Sequence, residues 1–141
     1  MSKPKLTVIE GGIPYLIKTK QKLLVSAYVT NTRLMGVLAL YAHWRISGTD
    51  EMLDFHQFFY IDCEESGLET YTGILGSDHS EIDATEQALV GGLGAEKIKI
   101  SYPQLSGILT FYRMFNEAHG LPLPKGYREY SFLLEPGTIL S

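Results

Sequence analysis

Eight side chains able to do chemistry fall close together in this sequence: Tyr41, His43, Arg45, Asp54, His56, Tyr60, Asp62 and Glu64. Imidazole titrates near neutrality and, when neutral, ligates transition metals, so a histidine pair beside a carboxylate would hold a metal ion or share a proton. His43 and His56 are therefore the candidate metal ligands or acid–base groups, with Asp62 as the candidate carboxylate. Neither histidine has a His-x-His or His-Glu-x-x-His neighbour, so such a site depends on strand pairing, a pocket and a third ligand.

The other reactive residues have simpler readings. Cys63 shares a strand face with Phe59 and Ile61, the setting of a buried, inert thiol. Asp78, His79, Ser80 and Glu81 are metal-ligand types in one short loop, but helix capping accounts for the serine and the acids. His119 stands before Gly120 at a helix end, where a cationic ring complements the dipole. The glycines of residues 91–94 follow a helix and lead into a strand, the reverse of a phosphate-binding loop. Residues 121–124 lack the Pro-x-x-Pro spacing of a polyproline ligand.

Positioning these residues requires strands. Residues 34–46 alternate with Leu34, Leu38, Leu40, Ala42, Trp44 and Ile46 on one face, and the length of this strand predicts a bend or bulge at Gly36. Residues 53–64 return with Phe55, Phe59, Ile61 and Cys63 on one side. A pairing in which residue numbers sum to 99 sets Trp44 against Phe55, Leu40 against Phe59 and Leu38 against Ile61. On the reverse face it sets His43 against His56 and Arg45 against Asp54. The next hairpin turns at Ser66 and Gly67 into residues 68–75; a strict two-residue turn would oppose Glu64 and Glu69, so either a bulge or a cation belongs there.

Upstream, residues 6–9 form a short strand, and residues 15–19 and 23–30 a hairpin. Downstream, residues 77–83 supply several N-cap candidates, and Asp83 and Glu86 have capping spacing, for a helix that ends by residues 91–94; residues 97–101 form a short strand. Ser101 and Gln104 then open a helix terminated by Gly120, with Leu105, Ile108, Leu109, Tyr112 and Phe115 as its stripe. Phe111, Met114 and Ala118 widen that stripe, which predicts deep packing. A strand at residues 130–135 and a loose end at 136–141 complete the chain.

The expected fold is α+β: an antiparallel meander of about five strands followed by α-β-α-β, a two-layer sandwich with both helices on one sheet face. Its 141 residues suit a single globular domain, 1–141. With the helices occupied on the deeper face, the other face, bearing Met35, Val37, Tyr41, Phe58 and Tyr60, is too apolar for open solvent and predicts a homodimer interface. The expected function is a self-associating, non-enzymatic binding module. Its alternative is a small metal-dependent or acid–base enzyme, or a ligand-binding protein, with a site around His43, His56 and Asp62.

Composition bounds the partners. A net charge of −4 gives no footprint for nucleic acid, and no apolar run approaches a membrane span. One cysteine and no signal-like start point to a soluble protein of the cytoplasm, and no motif calls for a cofactor. Residues 46–95 hold 11 of the 16 acidic residues and no Lys or Arg. Turn and helix-start positions account for these acids; a cation or a basic partner protein is the sharper reading.

Overall fold

The computed structural model describes residues 22–47, 52–76, 78–91, 96–126, 130 and 139–140. Four antiparallel strands, β1 (Lys22–Thr30), β2 (Val37–Ser47), β3 (Met52–Asp62) and β4 (Gly67–Leu75), form a meander. Helix α1 (His79–Val90), strand β5 (Lys97–Lys99), helix α2 (Tyr102–Ala118) and strand β6 (Ile139–Leu140) follow. The sheet order is β4-β3-β2-β1-β5; β5 lies antiparallel to one end of β1, and β6 lies parallel to the other. The architecture is α+β, with the α-β-α-β order after the meander. The strands expected at 6–9 and 15–19 lie outside the described residues.

The β2–β3 register is the expected one along its whole length, from Val37 opposite Asp62 to Ser47 opposite Met52. Aromatic and branched side chains on one face fix it, since a slip of one residue would turn Trp44, Phe55 and Phe59 outward. Gly36 marks a break rather than a bend inside a strand. Arg33–Met35 form a 3₁₀ turn, and Gly36 at φ 87° leads into β2. Thr30 and Thr32 hold this corner: their hydroxyls lie 2.7 Å apart, Thr32 donates to the Val37 carbonyl, and Thr30 accepts from the Ala39 amide.

At the β3–β4 hairpin the bulge alternative is what forms. Residues 63–66 make the turn, and Glu69 is the extra residue between the Tyr60–Thr70 and Ile61–Leu68 pairs, so Glu64 and Glu69 never face each other. The main core lies on the Trp44 face, where Leu40, Trp44, Phe55 and Phe59 meet Leu105, Leu109 and Tyr112 of α2. Gln57 interrupts the apolar run of β3 because Trp44 needs it: the indole N–H donates to Gln57 Oε1, and Gln57 Nε2 donates to the Tyr71 hydroxyl.

The helices occupy opposite faces of the sheet, which corrects the expected two-layer sandwich. Helix α2 covers the Trp44 face, with Tyr102 edge-on to the indole. Helix α1 reaches the other face, where Tyr28 donates to Glu86. The reason lies in α1 itself: Val90 is its one buried residue among those described, too narrow a stripe for the main core but suited to a mixed aromatic and polar surface.

Among the N-cap candidates of residues 77–83 it is Asp78 that accepts the Glu81 amide, so helix α1 starts at His79 and not after Asp83. The C-terminal strand moves. Tyr130 does not begin a strand, since its amide bonds the Gly126 carbonyl in a helical turn. The strand falls instead at Ile139–Leu140, within the expected loose end, where β1 offers an open edge. Residues 131–135 lie outside the described residues. Helix α2 begins with the expected capping box at Ser101 and Gln104.

Candidate functional site

The outer face of β1–β3 carries a continuous polar and aromatic row. Register sets Tyr28 beside Tyr41 and Tyr41 beside Phe58, with ring centroids 5.2 and 4.9 Å apart. His43 and His56, opposite each other, stack at 4.3 Å. The Tyr41 hydroxyl lies 2.7 Å from His56 Nδ1, and His43 Nε2 lies 2.9 Å from Asp54 Oδ1. Arg45 Nε donates to the same carboxylate oxygen at 3.4 Å. Farther along, Glu86 of α1 accepts from both Tyr28 (2.6 Å) and Lys97 (2.7 Å).

The electrostatics of this row are those of a packed network. Burial, then the neighbouring His43, push the His56 pKa down to about 4, against the opposing pull of Asp54 and the Gly76 backbone. Tyr41 is pushed up to about 12 by burial and then by the Glu86 and Asp54 charges. Tyr28 is raised further, by burial and then by its bond to Glu86. Burial works against the Glu86 carboxylate, but Lys97 and Tyr28 outweigh it and leave its pKa lowered. At neutral pH His56 is thus an uncharged ring, 6% exposed and hydrogen-bonded to Tyr41. A general base needs a lone pair that a substrate reaches, and the buried His56 ring is poorly placed to present one.

Asp62, the carboxylate expected beside the histidines, is elsewhere. It pairs with Val37 at the far end of the hairpin, six residues and about 20 Å along β3 from His56. There it accepts the amides of Glu64 and Glu65, and the Glu65 and Glu64 bonds hold its pKa below the usual carboxylate range. Asp54 takes its place beside His43. Among the described residues no group of three His, Cys, Asp or Glu side chains is disposed to hold a metal ion.

The surface expected to bind a second copy is divided. Phe58 is 1% exposed and, with Ala39, Ile74 and Val90, is buried outside the main core on the α1 side. Val37, Tyr41 and Tyr60 are half-buried. Met35 remains exposed, but in the 3₁₀ turn rather than on the sheet. Several acids of the 46–95 segment have partners within the chain: Asp54 with His43, Asp62 and Asp78 with backbone amides, Glu86 with Tyr28 and Lys97.

An opening lies on the other side of the molecule, unforeseen in the sequence. A groove of about 600 Å³ runs between α2, strand β5 and the 3₁₀ turn. Val29 and Leu38 form its floor from the sheet, Ile98 and Ile100 one wall, and Ile108 and Phe111 of α2 the other. Its polar lining consists of Arg33, Gln104 and Tyr112. Tyr112 is 2% exposed, and its hydroxyl is closed off from solvent and makes no well-formed hydrogen bond; the Cys63 thiol and the Arg33 guanidinium lie near enough to act on it. Burial, followed by the thiol, pushes its pKa up to about 12, while Arg33 pulls it down. Gly107, on the α2 side, is a position where an added side chain meets open space.

The signal for this groove was the breadth of the α2 stripe. Deep packing is expected of Phe111 and Met114; they are 56% and 57% exposed, and Phe111 lines the opening instead of closing it. No protein-family model, curated protein or solved structure matches the chain.

Proposed function

We propose that the protein is a non-catalytic binding domain that holds a small, largely apolar molecule in the groove between α2, β5 and the 3₁₀ turn. The observation that carries this reading is a concave, largely apolar surface of about 600 Å³ with Arg33 and Gln104 in its lining. Its volume is that of a small-molecule site, and apolar walls with a few placed polar groups are the usual lining of one. The outer-face histidines support the sheet and the docking of α1. The cytoplasm is the compartment that fits a chain whose one cysteine is a free thiol.

Fluorescence of the uncharged dye Nile red tests the reading. Saturable binding should appear in the parent protein and weaken at least tenfold in Gly107→Leu, which fills the groove while improving helix propensity. No saturable binding, or binding indifferent to that substitution, would contradict it.

Self-association is the second reading, favoured by the full exposure of Leu34 and the more than half-exposed Met35, Phe111 and Met114. This apolar rim, rather than the outer sheet face, would join two copies. Light scattering at micromolar concentration decides: a strict monomer removes this reading, and a dimer dissociated by Phe111→Glu supports it.

A further inference from the structure

The polar lining of the groove has one chemical character, and it narrows the ligand. Arg33 carries only donors and has no ion-pair partner among the described residues. Gln104 Oε1 is already taken by the amide and hydroxyl of Ser101, which leaves its Nε2 donors toward the groove. Tyr112 lines the groove as well, but its hydroxyl is closed off from solvent beside the Cys63 thiol and the Arg33 guanidinium. No aspartate or glutamate lines the groove. A ligand whose polar end is an acceptor therefore satisfies groups the protein leaves unmet, and a cationic one would meet Arg33 with no counter-charge.

The donors also lie at two positions. Tyr112 and Arg33 are neighbours, as the effect of the guanidinium on the hydroxyl shows. Gln104 is eight residues earlier on α2, about 12 Å along the axis. Between them the surface is Ile108, Gly107, Ile98 and Ile100, without a charge. We infer that the groove takes a small monocarboxylate with an alkyl or aryl body, its carboxylate held by Arg33 and its apolar chain lying along Ile108, Ile98 and Ile100. The guanidinium fork matches a carboxylate in both charge and geometry. This rests on the proposal that the groove binds a small apolar molecule and adds the identity of its head group.

Isothermal titration with decanoate, decanol and decylamine, at concentrations below micelle formation, separates the two statements. Decanoate should bind at least tenfold more tightly than decanol and decylamine. Arg33→Met should reduce decanoate to the level of decanol while leaving decanol unchanged, and Gly107→Leu should weaken both. Equal binding of decanoate and decanol, or a preference that survives Arg33→Met, would overturn the carboxylate assignment and leave the groove as a binding site. Absence of binding by all three ligands, or a dimer by light scattering that decanoate does not dissociate and whose groove is sealed, would overturn both.

Discussion

His56 shows how far a reactive side chain can be taken out of service by its surroundings. Its ring is held at neutral charge by burial and by His43, with a folded pKa of about 4 against 6.5 unfolded. Between those values the unfolded chain binds the extra proton, so stability is fully present above pH 6.5 and is lost as pH falls toward 4, by on the order of 2 kcal/mol. Urea denaturation at pH 7 and pH 4.5 should show that loss, and His56→Gln, which keeps an acceptor for Tyr41, should reduce it. Asn116 is the opposite case, a residue with no chemical promise in the sequence and a large structural task. It is fully buried, accepts the Leu68 amide and donates to the carbonyls of Leu68 and Pro122. Asn116→Ala strands both polar groups of Leu68 and should cost about 2–4 kcal/mol by denaturant titration. The facing of His43 and His56 was legible because Trp44, Phe55 and Phe59 admit a single register. The choice of Asp62 over Asp54 was the misreading: Asp54 is diagonal to His43 across that same register, whereas Asp62 sits six residues along the strand. Asn116 was not legible, because its partners are backbone groups distant in sequence.

At the scale of elements, alternation located β1 to β5 and capping located the helices, but neither says which face of the sheet a helix will cover. Helix α1 is placed by contacts that no local pattern encodes: Glu86 reaches Tyr28 of β1 and Lys97 of β5, while Val90 covers the apolar part of the outer face. A double-mutant cycle of Tyr28→Phe and Glu86→Gln should give a coupling of about 1 kcal/mol, because a charged acceptor strengthens the phenol bond. Zero coupling would mean that α1 is held by Val90 and its apolar neighbours alone. Helix α2 shows the converse error. Its wide stripe read as deep burial, yet only Leu105, Leu109, Tyr112 and Asn116 are buried. Stripe width counts apolar residues; it does not say whether the sheet beneath is wide enough to cover them, and β5 supplies only three residues at that edge.

For the whole molecule, the sheet divides two kinds of surface. The outer face spends its titratable groups on one another and on α1. The opposite side leaves a groove lined by Arg33 and Gln104 and by no carboxylate. The place richest in reactive residue types is thus the more satisfied one, and the proposed binding groove lies where apolar residues failed to close over a gap. Sequence patterns find residue types; they do not find unfilled volume, which depends on the meeting of β1, β5, the 3₁₀ turn and α2. The described residues include no helix long and apolar enough to cross a membrane, so the exposed Phe111 and Met114 belong to a rim and not to a span. The most direct test of this account is an NMR titration with decanoate that follows backbone amides on both sides of the sheet. Shifts should concentrate at Val29, Arg33, Leu38, Ile98, Ile100 and residues 104–112, leaving Tyr41, His43 and His56 unmoved. Shifts centred on Tyr41, His43, Asp54 and His56, or none at the groove, would contradict it.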